Sequence, residues 1–156
     1  MVSAANTVNL YIEKNAKLPS TVTIGDLTFT TAQYLYLLSE AIYNLNNGDK
    51  SNLYVFNVNS PTNPGAAANM GVLNKYVAVA RSILDSMDSG TTPNSVDSEL
   101  GKIGYDGIVY AFTRVMVYYG SMAKLPSSVA IKSLVIYTSQ SVLDSKNTIT
   151  NLEPYL

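Results

Sequence analysis

The sequence predicts a mainly α-helical fold, an array of about five helices built from sequential Pro-containing repeats, with a few short strands. Three observations predict it. Residues 16–27, Ala-Lys-Leu-Pro-Ser-Thr-Val-Thr-Ile-Gly-Asp-Leu, return 107 positions later as Ala-Lys-Leu-Pro-Ser-Ser-Val-Ala-Ile-Lys-Ser-Leu, with eight of twelve positions identical and no gap. Self-similarity on this scale marks a repeated supersecondary unit. Pro-bearing segments at Pro19, Pro61, Pro93 and Pro126 are spaced by 42, 32 and 33 residues, near the period of helical repeat proteins. Each is followed by an apolar stretch whose spacings of three and four give a helical rhythm.

The first helix is expected over residues 4–16, where Val8, Tyr11, Ile12 and Asn15 share a face. Proline lacks an N–H and forces the preceding residue out of the helical region, so Leu18 and Leu125 should be extended. Residues 22–24 and 129–131 then read as short extended pieces that bury alternate side chains. Thr30 and Thr31 suit the N-cap of a second helix over 31–46, where Leu35, Leu38, Ile42 and Leu45 form the apolar stripe. Residues 53–58, Leu-Tyr-Val-Phe-Asn-Val, are the one clear strand-like run. Residues 57–68 and 89–98 read as polar loops rich in Gly and Pro. A third helix is expected over 66–87, with Tyr76, Val77, Ala80, Ile83, Leu84 and Met87 on one side. The glycine-rich run 101–107 has neither the incoming strand nor the spacing of a phosphate loop, and should loosen the approach to a fourth helix. That helix, 105–120, is apolar almost all round and so should be central and buried. A shorter fifth is expected over 135–145. The pseudo-repeats, at about 4–46, 47–88, 89–120 and 121–150, share helices and make one domain over 1–156.

Composition narrows the chemistry. With 156 residues and 47% hydrophobic content, the chain has material for one core. Charged residues are only 13%, and the net charge of −1 offers no basic cluster for nucleic acid or anionic lipid. No apolar run reaches the roughly 18 residues of a membrane span. The first residues lack the basic start and apolar block of a secretory signal. There is no Cys and no His, so disulfides, thiolate nucleophiles, imidazole bases and the usual zinc sites are excluded. Glu13, Glu40, Glu99 and Glu153 form no constellation suited to glycoside hydrolysis. Asp85, Asp88, Asp97 and Glu99 flank a loop, but without the spacing of a calcium-binding loop they read as a solvated acidic surface. No catalysis, cofactor or metal is expected of this chain.

The run Leu18-Pro-Ser-Thr-Val-Thr-Ile24, followed by Thr31-Ala-Gln-Tyr-Leu-Tyr-Leu-Leu-Ser-Glu-Ala-Ile42, resembles the pseudomurein-binding repeat. That repeat stands before the peptidase domain of pseudomurein endoisopeptidases of methanogen viruses, and in methanogen surface proteins. Its pattern is Leu-Pro-x-x-Val-x-Ile and then a helix carrying Gln-Phe-Leu-Tyr-Leu-Leu; here Tyr34 is the aromatic after Gln33. The likeness covers residues 8–46. The copy at Pro126 keeps the lead-in and Gln140. The unit at Pro93 keeps Pro-x-x-Val and Tyr110 but has Gly107 in the place of Gln33, and the unit at Pro61 matches by spacing alone. The resemblance implies a cell-wall-targeting domain that holds a wall-lytic enzyme against pseudomurein, a polymer of glycan strands cross-linked by peptides. It implies a covalently linked Cys-His-Asp peptidase domain after residue 156, and a place at the archaeal cell wall as part of a viral lysin or a surface protein.

Most of the motif has the spacing of core residues. The candidate wall contacts lie on the other helical face, where Tyr36, Glu40 and Tyr43 share one stripe at i, i+4 and i+7, with Ser39 alongside. The corresponding stripe of the third unit is Tyr110, Arg114 and Val117. Tyrosines offer a flat apolar face to sugar rings and a hydroxyl to their polar groups, and Glu40 suits a lysine of the wall peptide. Two readings stand: the stripe contacts the ligand, or its tyrosines cover a neighbouring repeat. A structural or assembly protein that uses the repeats for protein contacts is the rival function.

Overall fold

The structure, a computed structural model, describes residues 1–65 and 69–134. Among these are four helices: α1 (Val2–Asn15), α2 (Thr31–Asn46), α3 (Tyr76–Met87) and α4 (Tyr105–Met122). Six short strands accompany them: β1 (Thr21–Ile24), β2 (Leu27–Thr30), β3 (Gly71–Leu73), β4 (Ser95–Ser98), β5 (Gly101–Gly104) and β6 (Val129–Ile131). The fold is therefore mixed, helical with three two-stranded ribbons, rather than mainly α. The expected fifth helix, over 135–145, lies outside the described residues, as does Gln140.

Of the four described helices, α2 alone begins at a side-chain cap. At α2, the Thr30 hydroxyl accepts from the Gln33 N–H at 3.1 Å and the Gln33 side chain accepts from the Thr30 N–H at 2.9 Å. This reciprocal box satisfies two donors that a helix start otherwise leaves open. Both α1 and α4 end at an alanine in the left-handed conformation, Ala16 (φ 55°) and Ala123 (φ 57°). Each alanine N–H donates at 2.8 Å to the carbonyl four residues back, Ile12 and Tyr119 respectively. The Ala-Lys-Leu-Pro-Ser segments thus leave their helices by the same turn, and Leu18 and Leu125 are both half-buried against the core.

Three Pro-x-x-Val units share a further regularity. The valine three residues after Pro19, Pro93 and Pro126 is buried in each case, and pairs antiparallel with a strand that leads into a helix. Val22 faces Phe29 before α2, Val96 faces Ile103 before α4, and Val129 faces Leu73 before α3. The first two ribbons are local hairpins; at the first, Gly25 takes the φ of 61° that its two-residue turn requires. The third joins strands far apart in sequence. In each unit the first helical residue is tied back to the Pro turn: the Thr31 hydroxyl donates to the Pro19 carbonyl, the Tyr76 hydroxyl to the Pro126 carbonyl, and the Tyr105 N–H to the Asn94 carbonyl.

Several sequence expectations are corrected here. The third helix starts at Tyr76, not near residue 66, because residues 71–73 are drawn into pairing with β6. Residues 101–104 are a strand that runs directly into α4, and 95–98, expected as loop, is its partner. The strand-like run 53–58 joins no sheet. Its backbone is held by side chains of α2 instead: Glu40 accepts from the Tyr54 N–H and Gln33 donates to the Phe56 carbonyl. The neighbouring Asn59 makes only an isolated bridge to Thr91.

The core lies around α4, which packs against α1, α2 and β6. Val109, Ala111, Phe112 and Val115 are fully buried on it, as its apolar circumference predicts. The Tyr34 and Thr113 hydroxyls share a buried hydrogen bond of 2.8 Å between α2 and α4. It satisfies two polar groups that would each be costly to bury alone. No helix among the described residues is long and apolar enough to cross a membrane.

Candidate functional site

The stripe on α2 meets the segment 53–58 and the surface of α3. Tyr36 is half-buried, with its ring edge-on to Phe56 at a centroid distance of 5.1 Å and an interplanar angle of 72°. Such edge-to-face pairs add roughly 0.5–1.5 kcal/mol beyond the area they bury. The Tyr36 hydroxyl reaches toward Asp88 at 3.5 Å, a long contact. Burial first, then the charges of Asp88 and Glu40, push the Tyr36 phenol above its ordinary pKa. Burial likewise raises the Glu40 carboxyl, and the Tyr54 N–H offsets part of that rise. Tyr43 carries the Arg81 guanidinium 5.3 Å from its ring centre, and Arg81 pairs with Asp85 at 3.3 Å. That exposed pair contributes little to stability.

The outer layer of this surface is aromatic. Tyr54 is 73% exposed and Phe56 40%, both standing on the strip of chain that α2 anchors. The patch thus holds Tyr36, Tyr43, Tyr54 and Phe56, bordered by Glu40, Arg81 and Asp88. It offers flat apolar faces beside groups that accept and donate hydrogen bonds, the combination that sugar rings and amide-linked chains present in return. The sequence left Tyr54 and Phe56 out of the site. Their signal was alternation within 53–58, which sets both on the side opposite Leu53 and Val55.

Two candidate residues are corrected outright. Ser39 is fully buried inside the α2 packing, and Tyr110 is 1% exposed, so neither is available to a ligand. The Tyr110 stripe belongs to a different neighbourhood. Arg114 lies over the Tyr110 ring at 4.4 Å and donates to the Ala130 carbonyl at 2.5 Å, binding α4 to β6, while Lys132 lies 5.8 Å from the same ring. Of the six candidates, Tyr36, Glu40 and Tyr43 share one surface and Arg114 is engaged elsewhere.

The acidic residues weighed for calcium are dispersed. Asp85 pairs with Arg81, Asp97 with Lys102, and Glu99 accepts from the N–H groups of Asn74 and Lys75. Among the described residues no three carboxylates gather to hold a metal ion. No family model, curated protein or solved structure matches the chain.

Proposed function

We propose that this chain is a non-catalytic domain that binds pseudomurein and holds an attached wall-lytic peptidase against the archaeal cell wall. On this reading it is an array of sequential Pro-containing repeats with about five helices. The observation that carries the proposal is the aromatic patch over α2, in which Tyr36 and Tyr43 come from the repeat unit with the strongest likeness to the wall-binding family and Tyr54 and Phe56 from the segment after it. Tyr36, Tyr43, Tyr54 and Phe56 supply contact area, and Glu40 suits an ammonium group of the wall peptide. Because such a surface is weak alone, useful affinity comes from several contacts to one polymer; linked sites gain about 10²–10⁴ over a single one.

Retention on purified sacculi tests this. The chain is expected to sediment with pseudomurein sacculi and not with bacterial murein, releasing no soluble fragments. Replacing Tyr36, Tyr43 and Phe56 together by Ala should lower retention at least about tenfold, or 1.4 kcal/mol, with unchanged circular dichroism. Retention should depend only mildly on salt, since few charges are present to be screened. The rival, assembly through protein contacts, draws on the exposed side chains of Leu10, Leu27 and Met122. It predicts concentration-dependent self-association and no retention on sacculi.

A further inference from the structure

The two Ala-Lys-Leu-Pro-Ser copies leave their helices alike, and comparing their surroundings reveals a groove in one of them. In the second copy Arg114 spans the gap between helix and strand, with its guanidinium on the Ala130 carbonyl at 2.5 Å and over the Tyr110 ring at 4.4 Å. The residues 107 positions earlier are Thr7, Thr23 and Ser3. Two flanking positions match between the copies, although β1 pairs with β2 and β6 with β3. Val8 and Val115 are both buried, and Tyr11 and Tyr118 are 36% and 37% exposed. Where one copy has a long side chain reaching across, the other has a threonine whose hydroxyl turns back onto its own helix, donating to the Ser3 carbonyl at 3.2 Å.

What remains between α1 and β1 is a groove of about 490 Å³. Its lining residues are Thr7, Ser20, Thr21 and Thr23 with Tyr11, Pro19 and two valines, the Thr23 hydroxyl also sharing a 3.3 Å hydrogen bond with that of Thr28. Its size lies within the range of small-ligand sites, about 300–1,000 Å³. The lining has no charge, so an ion entering it would leave water without a counter-charge. A purely alkyl ligand would strip water from the hydroxyls and return no hydrogen bond. A neutral ring bearing hydroxyl groups matches on both counts. Threonine and serine hydroxyls each donate and accept, as sugar hydroxyls do, while Tyr11 and Pro19 offer apolar faces to the C–H side of a ring.

We infer that the groove between α1 and β1 binds one residue of a neutral saccharide, and that Arg114 occludes its counterpart in the second copy, leaving this site single. The inference deepens the wall-binding proposal by assigning this contact to glycan rather than peptide, and it rests on that proposal only for the ligand's biological source. The test titrates the intact chain with chitotetraose and with maltotetraose, followed by amide NMR. At least one of these should shift the signals of Thr7, Tyr11 and residues 20–23. Thr7→Arg, which places on an exposed helical position the side chain that α4 carries, should lower the affinity at least about tenfold. Thr7→Ala, which leaves the groove open, should keep most of it. No shifts with either sugar, shifts centred on α2 instead, or undiminished binding by Thr7→Arg would each overturn the inference. Sacculus retention is a separate readout. A chain retained on sacculi that ignores both sugars loses only the groove, whereas one that binds sugar in the groove but not sacculi loses only the wall-targeting function.

Discussion

Glu99 sits at the turn between β4 and β5, yet its carboxylate serves another element. It accepts from the N–H groups of Asn74 and Lys75 at 2.5 and 2.6 Å, where α3 begins without a side-chain cap of its own. The Lys75 hydrogen bond is the largest cause holding the Glu99 carboxyl below its ordinary pKa. A carboxyl depressed in the folded state contributes stability above its unfolded pKa, and that contribution is lost as pH falls through the folded value. Glu99→Ala should therefore be less stable than the parent at pH 7, with the gap closing once the solution is acidified below the usual carboxylate range. Urea midpoints at pH 7 and pH 3 check this, and a gap undiminished at pH 3 would assign the effect to packing. Nothing in the sequence around Glu99 announced the role, because its partners stand some 25 positions away.

At the scale of elements, the repeat is written in helix endings and strand beginnings more clearly than in helix faces. Ala16 and Ala123 both adopt left-handed backbone, which costs an L-residue roughly 1–2 kcal/mol and which glycine adopts freely. Glycine's larger unfolded-state entropy takes back about 0.5–1 kcal/mol of that difference. Ala16→Gly and Ala123→Gly should each stabilise the chain by up to about 1 kcal/mol. A shift of the denaturation midpoint at constant m-value would show it. Equal effects at the two positions would mark the endings as energetically equivalent, and destabilisation at either would show that the alanine methyl packs. The faces tell a different story. Val8 and Val115 match across the repeat, whereas Thr7 and Arg114 do not, and that difference opens the groove on α1.

For the molecule as a whole, the ribbon of β3 and β6 is the closure. It pairs Gly71 with Ile131, so the strand before α3 is completed only after α4 has been made. The other two ribbons are hairpins that form within a dozen residues. Ile131 is 4% exposed, and Ile131→Ala should cost about 2–5 kcal/mol, as buried Ile truncations do. Hydrogen exchange should speed up in β3 and at the start of α3 before it does in the β1–β2 hairpin, because local opening follows cooperative units. Uniform acceleration across both ribbons would show that the molecule opens only as one unit.

The sequence by itself determined what depends on neighbours along the chain. It placed α2 at its observed bounds through the threonines suited to its N-cap and a clean three–four rhythm, and it marked α4 as central through an apolar circumference. It also identified the repeated lead-in, because Pro, a turn residue and an alternating Val-x-Ile constrain backbone locally. Tertiary structure alone decided which strands pair and which side chains face water. Residues 53–58 have strand composition, but the side chains of Glu40 and Gln33 claim backbone groups that a sheet would use. Ser39 and Tyr110 lie on stripes that periodicity gave to the outer face, and both are buried by elements packed over them. Periodicity fixes which residues share a face; whether that face meets solvent is set by what packs on it from elsewhere in the chain.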